Sequence, residues 1–311
     1  VTMVIGHRGA PGYLPEHTRA AYALAFAMGV DAVEPDVVVS RDGVLVVRHE
    51  NEISGTTDVA DRPEFADRRT TKTIDGERVT GWFAEDLDWA ELATLRARER
   101  LPELRPASAA HDGEEPILRL RDVLDLAAGA GRGVVVEIKH ATFFASIGWD
   151  IAELVADELR SSGFDGPLWI ESFEASVLDR VRARGIPASY VYLLEASGAP
   201  VDDPSTPYAE VMTAAGIDAL VGRVDGISVD KAVLLRPHPS VVADAHARGL
   251  QVFTWTCRPE NRFLERRFRL PGAAAALGDY RSEWGVIRSL GVDAVFVDHP
   301  DLGVAFFSPQ N

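Results

Sequence analysis

Short apolar, β-branched runs alternate along the chain with longer stretches in which apolar residues return every three or four positions. The runs are MVIGH (3–7), AVEPDVVV (32–39), VVVEIK (134–139), LWIESF (168–173), SYVYLL (189–194), GISVD (226–230), VFTWT (252–256) and AVFVD (294–298). Their length and branching predict strands. Between them the periodicity predicts amphipathic helices over 17–29, 119–129, 149–162, 175–184, 206–215, 239–248 and 281–290. Most of these stretches end at a glycine, among them Gly163 and Gly216, where a helix commonly stops. Repeated strand–helix alternation implies right-handed crossovers and a parallel sheet. Eight such strands predict an α/β fold, a (β/α)8 TIM barrel. A doubly wound open sheet is the alternative, but no Gly-rich dinucleotide fingerprint follows the first strand.

Residues 51–115 break the alternation. A barrel needs about 250 residues, so this segment of the 311-residue chain is surplus to it. Its pattern predicts one helix over 88–99, then an exit loop rich in Pro, Ala and charge. The expected organisation is a barrel of residues 1–50 and 116–311, with 51–115 a small inserted subdomain capping the catalytic face.

Composition narrows the partners. Hydrophobic residues make up 46% and charged residues 26%, which supports a sizeable core and argues against disorder. The net charge of −16 repels a phosphate backbone, so no nucleic-acid partner is expected. No run approaches the roughly 18 apolar residues of a membrane-spanning helix, so no integral membrane association is expected. The chain opens directly in an apolar strand, where no signal peptide is read, and it begins without Met, which processing or the design of the expressed sequence would explain. Cys257 is the only cysteine, which excludes an intramolecular disulfide and a cysteine-rich metal site.

In a barrel, chemistry belongs at the C-terminal ends of the strands. His7 and Arg8 end the first strand. Glu34 and Asp36 lie two apart in the second, and Glu137 and Lys139 repeat that spacing in the third, so each pair shares a face. His49 follows the return arm of a hairpin turning at Asp42–Gly43. Three carboxylates without a soft ligand suit one hard divalent cation, Mg²⁺ or Ca²⁺. Arg8 and Lys139 are suited to holding a phosphate, and the two histidines to dividing acid and base work. Alone, each element is more often an ordinary turn or ion pair; their joint placement at strand ends points to phosphoryl transfer.

HRGAPGYLPEHT (7–18), EPDVVVSRDGVLVVRHE (34–50), VEIK (136–139), ESF (171–173), TWT (254–256) and GVDAVFVDHPD (291–301) together resemble the glycerophosphodiester phosphodiesterase family, in order and over nearly the whole barrel. The resemblance implies hydrolysis of glycerophosphodiesters to an alcohol and sn-glycerol 3-phosphate, with a divalent cation. It implies His7 and His49 as the acid–base pair, Glu34, Asp36 and Glu137 as metal ligands, and Arg8 and Lys139 as phosphate holders. Trp255 matches an aromatic position flanking the glycerol moiety, with Phe173 a second apolar wall. His17 replaces the Asn of the family's usual PENT and is read as the start of the first helix. Glu16 is read as shaping the loop or supporting the site from behind, and Asp298 and His299 as capping the end of the last strand or supporting the first-strand loop. The insert resembles that of the larger members, many of them exported, which leans toward a periplasmic or extracellular home. Weighed against this function are a sphingomyelinase D-like phospholipase on the same barrel, a Schiff-base aldolase using Lys139, and a barrel that only binds a phosphorylated polyol.

Overall fold

Each strand-forming run finds a partner on both sides, as a segment apolar on both faces requires. The computed structural model describes residues 1–308, so the last three positions of the expected barrel segment 116–311 lie outside the described residues. Its strands are β1 (Met3–His7), β2 (Ala32–Glu34), β3 (Asp36–Val39), β4 (Leu45–Val47), β5 (Thr70–Ile74), β6 (Glu77–Gly81), β7 (Gly133–Ile138), β8 (Leu168–Ser172), β9 (Ser189–Leu194), β10 (Gly226–Asp230), β11 (Gln251–Cys257) and β12 (Ala294–Val297). From β1 the parallel ladder runs through β12, β11, β10, β9, β8 and β7, and β7 pairs with β2 beside β1 to close the ring. The fold is a (β/α)8 barrel.

Helices pack outside it and follow local signals. Ile151–Ser162 begins where the Asp150 carboxylate accepts from the backbone of Ala152 and Glu153. It buries Ile151, Val155 and Leu159 in the apolar cluster around the barrel and stops at left-handed Gly163. At Gly216 the sequence reading fails: this glycine lies inside the short helix Ala214–Asp218, and the expected helix 206–215 is one turn, Tyr208–Val211, before it. Among the described residues, no helix is long and apolar enough to cross a membrane.

Inside the ring, Ile5, Ala32, Val135, Val191, Phe253, Ala294 and Phe296 form a separate buried cluster, with Trp169 packed against it. Side chains alternate along a strand, so the residue two steps on from each of these also points inward, one layer higher. That layer contains His7, Glu34, Glu137, Glu171 and Trp255. The apolar plug thus closes the floor under a polar layer at the C-terminal end.

The expected second strand, 32–39, is two. Pro35 has no N–H to give the ladder, and its carbonyl instead accepts from Glu137 N at 2.9 Å. β2 therefore pairs with β1, while β3 continues along β7 and turns back antiparallel into β4. The insert also differs from expectation. The helix expected over 88–99 is a single turn, Trp89–Leu92. Beyond it the chain extends, with Ala97 N bonded to Glu115 O and Arg98 N to Thr56 O. The segment also holds the hairpin β5–β6. Its Val59, Leu87, Leu92 and Leu95 are fully buried in the same apolar cluster as the barrel's outer core.

The loop after β1 is shaped by close approach. Gly9 has φ +100°, and a Cβ there would lie 2.9 Å from the Ala21 carbonyl carbon in the first helix, Arg19–Ala27. Gly9→Ala is expected to destabilise the fold by more than about 1 kcal/mol. A lower denaturant midpoint at unchanged slope is the result to look for; an unchanged midpoint contradicts the account.

Candidate active site

Strand register assembles the polar layer. His7 lies beside Glu34, Asp36 beside Glu137, and Glu137 beside Glu171 in neighbouring strands. Above them opens a cavity of about 740 Å³ lined by His7, Arg8, Glu34, His49, Glu137, Lys139, Glu171, Phe173 and Trp255. Asp36 lies among them, fully buried.

Glu34, Glu137 and Glu171 each offer an oxygen, all within 4.8 Å of one another, and Glu34, Asp36 and His17 form a second such group. Buried Glu34 Oε1, Asp36 Oδ1 and Glu171 Oε2 have no hydrogen-bond partner. Burial and the repulsion of Asp36, Glu137 and Glu171 raise the Glu34 carboxyl well above the usual range. Burial, with Glu137 and Asp36, does the same to Glu171. Glu137 is pushed up to about 8, mainly by burial, which the Lys139 ammonium only partly offsets. Asp36 goes the other way, because His49, His17 and Arg8 outweigh its burial. Orphaned hard oxygens that repel one another fit a divalent cation, which would satisfy them and offset the charge. Glu171 escaped the sequence reading as a ligand; the available signal was a charge inside an otherwise apolar strand.

Both histidines are oriented from behind. His7 Nδ1 is 2.7 Å from Asp298 Oδ1, and His49 Nδ1 is 2.5 Å from Glu50 Oε1. A carboxylate on Nδ1 holds the proton there and leaves Nε2 as the unprotonated nitrogen of the neutral ring. Burial lowers the pKa of both, with Arg8 adding to the effect; His49, which also faces Lys139, is brought to about 3. Both rings are therefore neutral near pH 7.

Arg8 and Lys139 are already engaged. Arg8 N donates to Glu34 Oε2 at 3.0 Å, and its Nη1 reaches Glu16 at 3.2 Å. Its buried Nε lies 3.5 Å from Asp36 Oδ2 without a hydrogen bond. Lys139 Nζ donates to Glu137 Oε1 at 3.0 Å and lies 3.4 Å from His49 Nε2. Beside Lys139, whose Nζ lies 5.5 Å from the Phe173 ring centroid, Phe173 and Trp255 meet edge to face with centroids 5.7 Å apart, and Tyr208 continues this apolar wall.

His17 does not begin the first helix. Thr18 caps it, and His17 precedes it, fully buried at φ +60°. Its Nε2 lies 3.3 Å from Asp36 N and 3.1 Å from Asp36 Oδ2. Burial brings its pKa down to about 4, so it packs as a neutral ring behind Asp36.

Comparison with known proteins agrees with this architecture. A sequence profile of the Glycerophosphoryl diester phosphodiesterase family matches residues 7–302. The Arabidopsis thaliana glycerophosphodiester phosphodiesterase GDPD6 is 33% identical over 94% of this chain and 82% of its own. A glycerophosphodiester phosphodiesterase of Treponema pallidum is 28% identical over 98% and 91%. The fold matches a phosphodiesterase of Oleispira antarctica, solved in complex with the product sn-glycerol-3-phosphate, with a TM-score of 0.69, 22% identity and coverage of 99% and 98%. A family profile that takes in all the strand-end motifs, and relatives aligned over nearly the full chain, leave one conclusion: the chain belongs to the glycerophosphoryl diester phosphodiesterase family.

Proposed function

We propose that this chain hydrolyses glycerophosphodiesters to an alcohol and sn-glycerol 3-phosphate, with His7 and His49 as the acid–base pair and a divalent cation in the carboxylate cluster. The observation that carries this reading is the pairing of two carboxylate-backed histidines with a cluster of partnerless buried carboxylates on one cavity. The product held by the Oleispira antarctica protein on the same fold is consistent with it.

Glu34, Asp36 and Glu137, joined by Glu171, would hold the cation. It would supply Lewis-acid stabilisation of phosphate charge and a template for the substrate. Arg8 and Lys139 bind the remaining phosphate charge, Arg8 through guanidinium donors not engaged by Glu16. One histidine Nε2 takes a proton from the nucleophile as its bond to phosphorus forms. The other, protonated at Nε2 once the anionic phosphodiester lies beside it, gives that proton to the alcohol oxygen as that P–O bond breaks and keeps its Nδ1 proton. Phe173 and Trp255 form the apolar wall beside the glycerol. Asp75, at the tip of the β5–β6 turn, lies 2.6 Å from His140 Nδ1 at the cavity edge. This contact supports reading 51–115 as a cap over the alcohol side.

A coupled assay for released glycerol 3-phosphate, run across several head groups, tests the activity itself. Release should stop with chelator and return with Mg²⁺ or Ca²⁺; no release under any condition sinks the proposal. His7→Ala and His49→Ala should each lower kcat by roughly 10²–10⁴-fold while keeping the wild-type melting transition. Near-normal turnover in either variant removes that residue from the mechanism.

Cation binding has a readout of its own. Adding Mg²⁺ or Ca²⁺ to chelated protein should raise Tm, because ligands that bind the folded state stabilise it. Glu171→Gln should shift the cation concentration needed to about 10-fold higher or more. An identical titration for wild type and variant removes Glu171 from the ligand set.

A further inference from the structure

The segment ERLPELR, 99–105, at the exit of the insert reaches the backs of both histidines. Arg100 binds Glu50 in a fork, Nη1 to Oε1 at 2.8 Å and Nη2 to Oε2 at 2.7 Å. Arg105 donates from Nη2 to Asp298 Oδ2 at 2.9 Å, beside Arg258 Nε at 2.7 Å. Glu50 and Asp298 are the carboxylates that hold the Nδ1 atoms of His49 and His7. We propose that this segment is the positioning device for both histidines: Arg100 acts through Glu50 on His49, and Arg105 acts through Asp298 on His7.

The physical need is clear at each end. A glutamate has enough rotatable bonds to swing away from a ring unless its second oxygen is also held, and the Arg100 fork takes both oxygens. Asp298 is buried, so an uncompensated charge there would be costly. Arg258 and Arg105 face it, and together with His7 they keep its carboxyl well below the usual range against the effect of burial. Arg105 is itself buried and anchored, with Nε on Glu260 at 2.8 Å and Nη1 on Pro11 O at 3.2 Å. Between the two arginines the chain makes a turn, with Arg105 N bonded to Leu101 O at 2.8 Å. Glu99 N, bonded to Asp112 Oδ1, ties the start of the turn down. One short turn thus aims two guanidinium groups at two different carboxylates.

Arg100 also binds Glu16, which holds Arg8. It has, then, a second route to the site, through phosphate binding, and the test must separate the two. The inference rests on the acid–base role proposed above for His7 and His49.

Steady-state kinetics on the glycerophosphodiester turned over fastest, at saturating cation, read it through double-mutant cycles. Arg100→Met should lower kcat by roughly 10–100-fold, with KM changed by less than about 3-fold. In a Glu50→Gln background the same change should cost nothing further in kcat. Arg105→Met against Asp298→Asn should behave likewise, with a smaller loss because Arg258 shares Asp298. If Arg105→Met does not fold, Arg105→Lys keeps the buried charge, loses the planar fork and runs the same cycle. Wild-type kcat in both arginine variants, losses that stay additive with the carboxylate changes, or an effect confined to KM each overturn the proposal. His7→Ala and His49→Ala separate the two levels. If they retain turnover, the acid–base reading itself fails; if they are inactive while the arginine variants keep wild-type kcat, only the positioning role fails.

Discussion

Mutual repulsion among carboxylates buried at one end of the barrel is the constraint on which the rest of this structure depends. Glu34, Asp36, Glu137 and Glu171 stand side by side above an apolar plug, where little water screens them. Such a cluster is tolerable only if some members take up protons or positive charge lies close by. Lys139 and Arg8 supply part of it directly, and the orphaned oxygens mark where a divalent cation would supply the rest. The chain carries a net charge of −16, yet several of its arginines are turned inward. Arg8, Arg48 and Arg105 are buried, and Arg48 spends its donors on the carbonyls of Val47, Thr56 and Glu16. Global charge and site charge are separate matters here, because Arg8 and Lys139 line the cavity whatever the charge of the chain as a whole.

The two histidines meet this charged floor in parallel ways. Each has a carboxylate behind Nδ1, and each carboxylate is clasped by arginine. The barrel provides the rings and Asp298, whereas the insert exit provides Arg100 and Arg105. The inserted segment therefore shares more than apolar contacts with the barrel. Its charged end is wired into the layer where the chemistry is proposed to occur, which couples a region outside the barrel repeat to the orientation of groups within it.

Much of this was legible beforehand. Alternation of β-branched runs with helical periodicity was enough for the barrel, because strand and helix patterns differ in period and the crossover rule leaves few topologies. The i, i+2 spacings of Glu34–Asp36 and Glu137–Lys139 were readable as shared faces for the same reason. Other features were not, and three of them show why. Pro35 divides a run that looks continuous, since the ladder donor it lacks is missed only once β7 lies alongside. The expected helix 88–99 stops after one turn because Ala97 and Arg98 find backbone partners in Glu115 and Thr56, far off in sequence. His17 looked like a helix start and is a buried ring behind Asp36, brought there by a left-handed turn.

The sequence by itself determined the periodicities, the polar residues at strand ends and the motifs that place the chain in its family. These are local properties: a strand's faces, a proline's missing donor and a run of named residues travel with the chain. Only the tertiary structure decided that Glu171 joins the carboxylates and that Glu50 and Asp298 back the two histidines. It also decided that Arg100 and Arg105 hold those carboxylates from the insert. Asp298 lies 291 residues from His7 and 193 from Arg105 along the chain. Barrel closure between β1 and β12 brings the first pair together, and packing of the insert exit against the barrel mouth brings the second. No spacing rule reaches across such separations, because side-chain contacts of that kind exist only once the ring has closed.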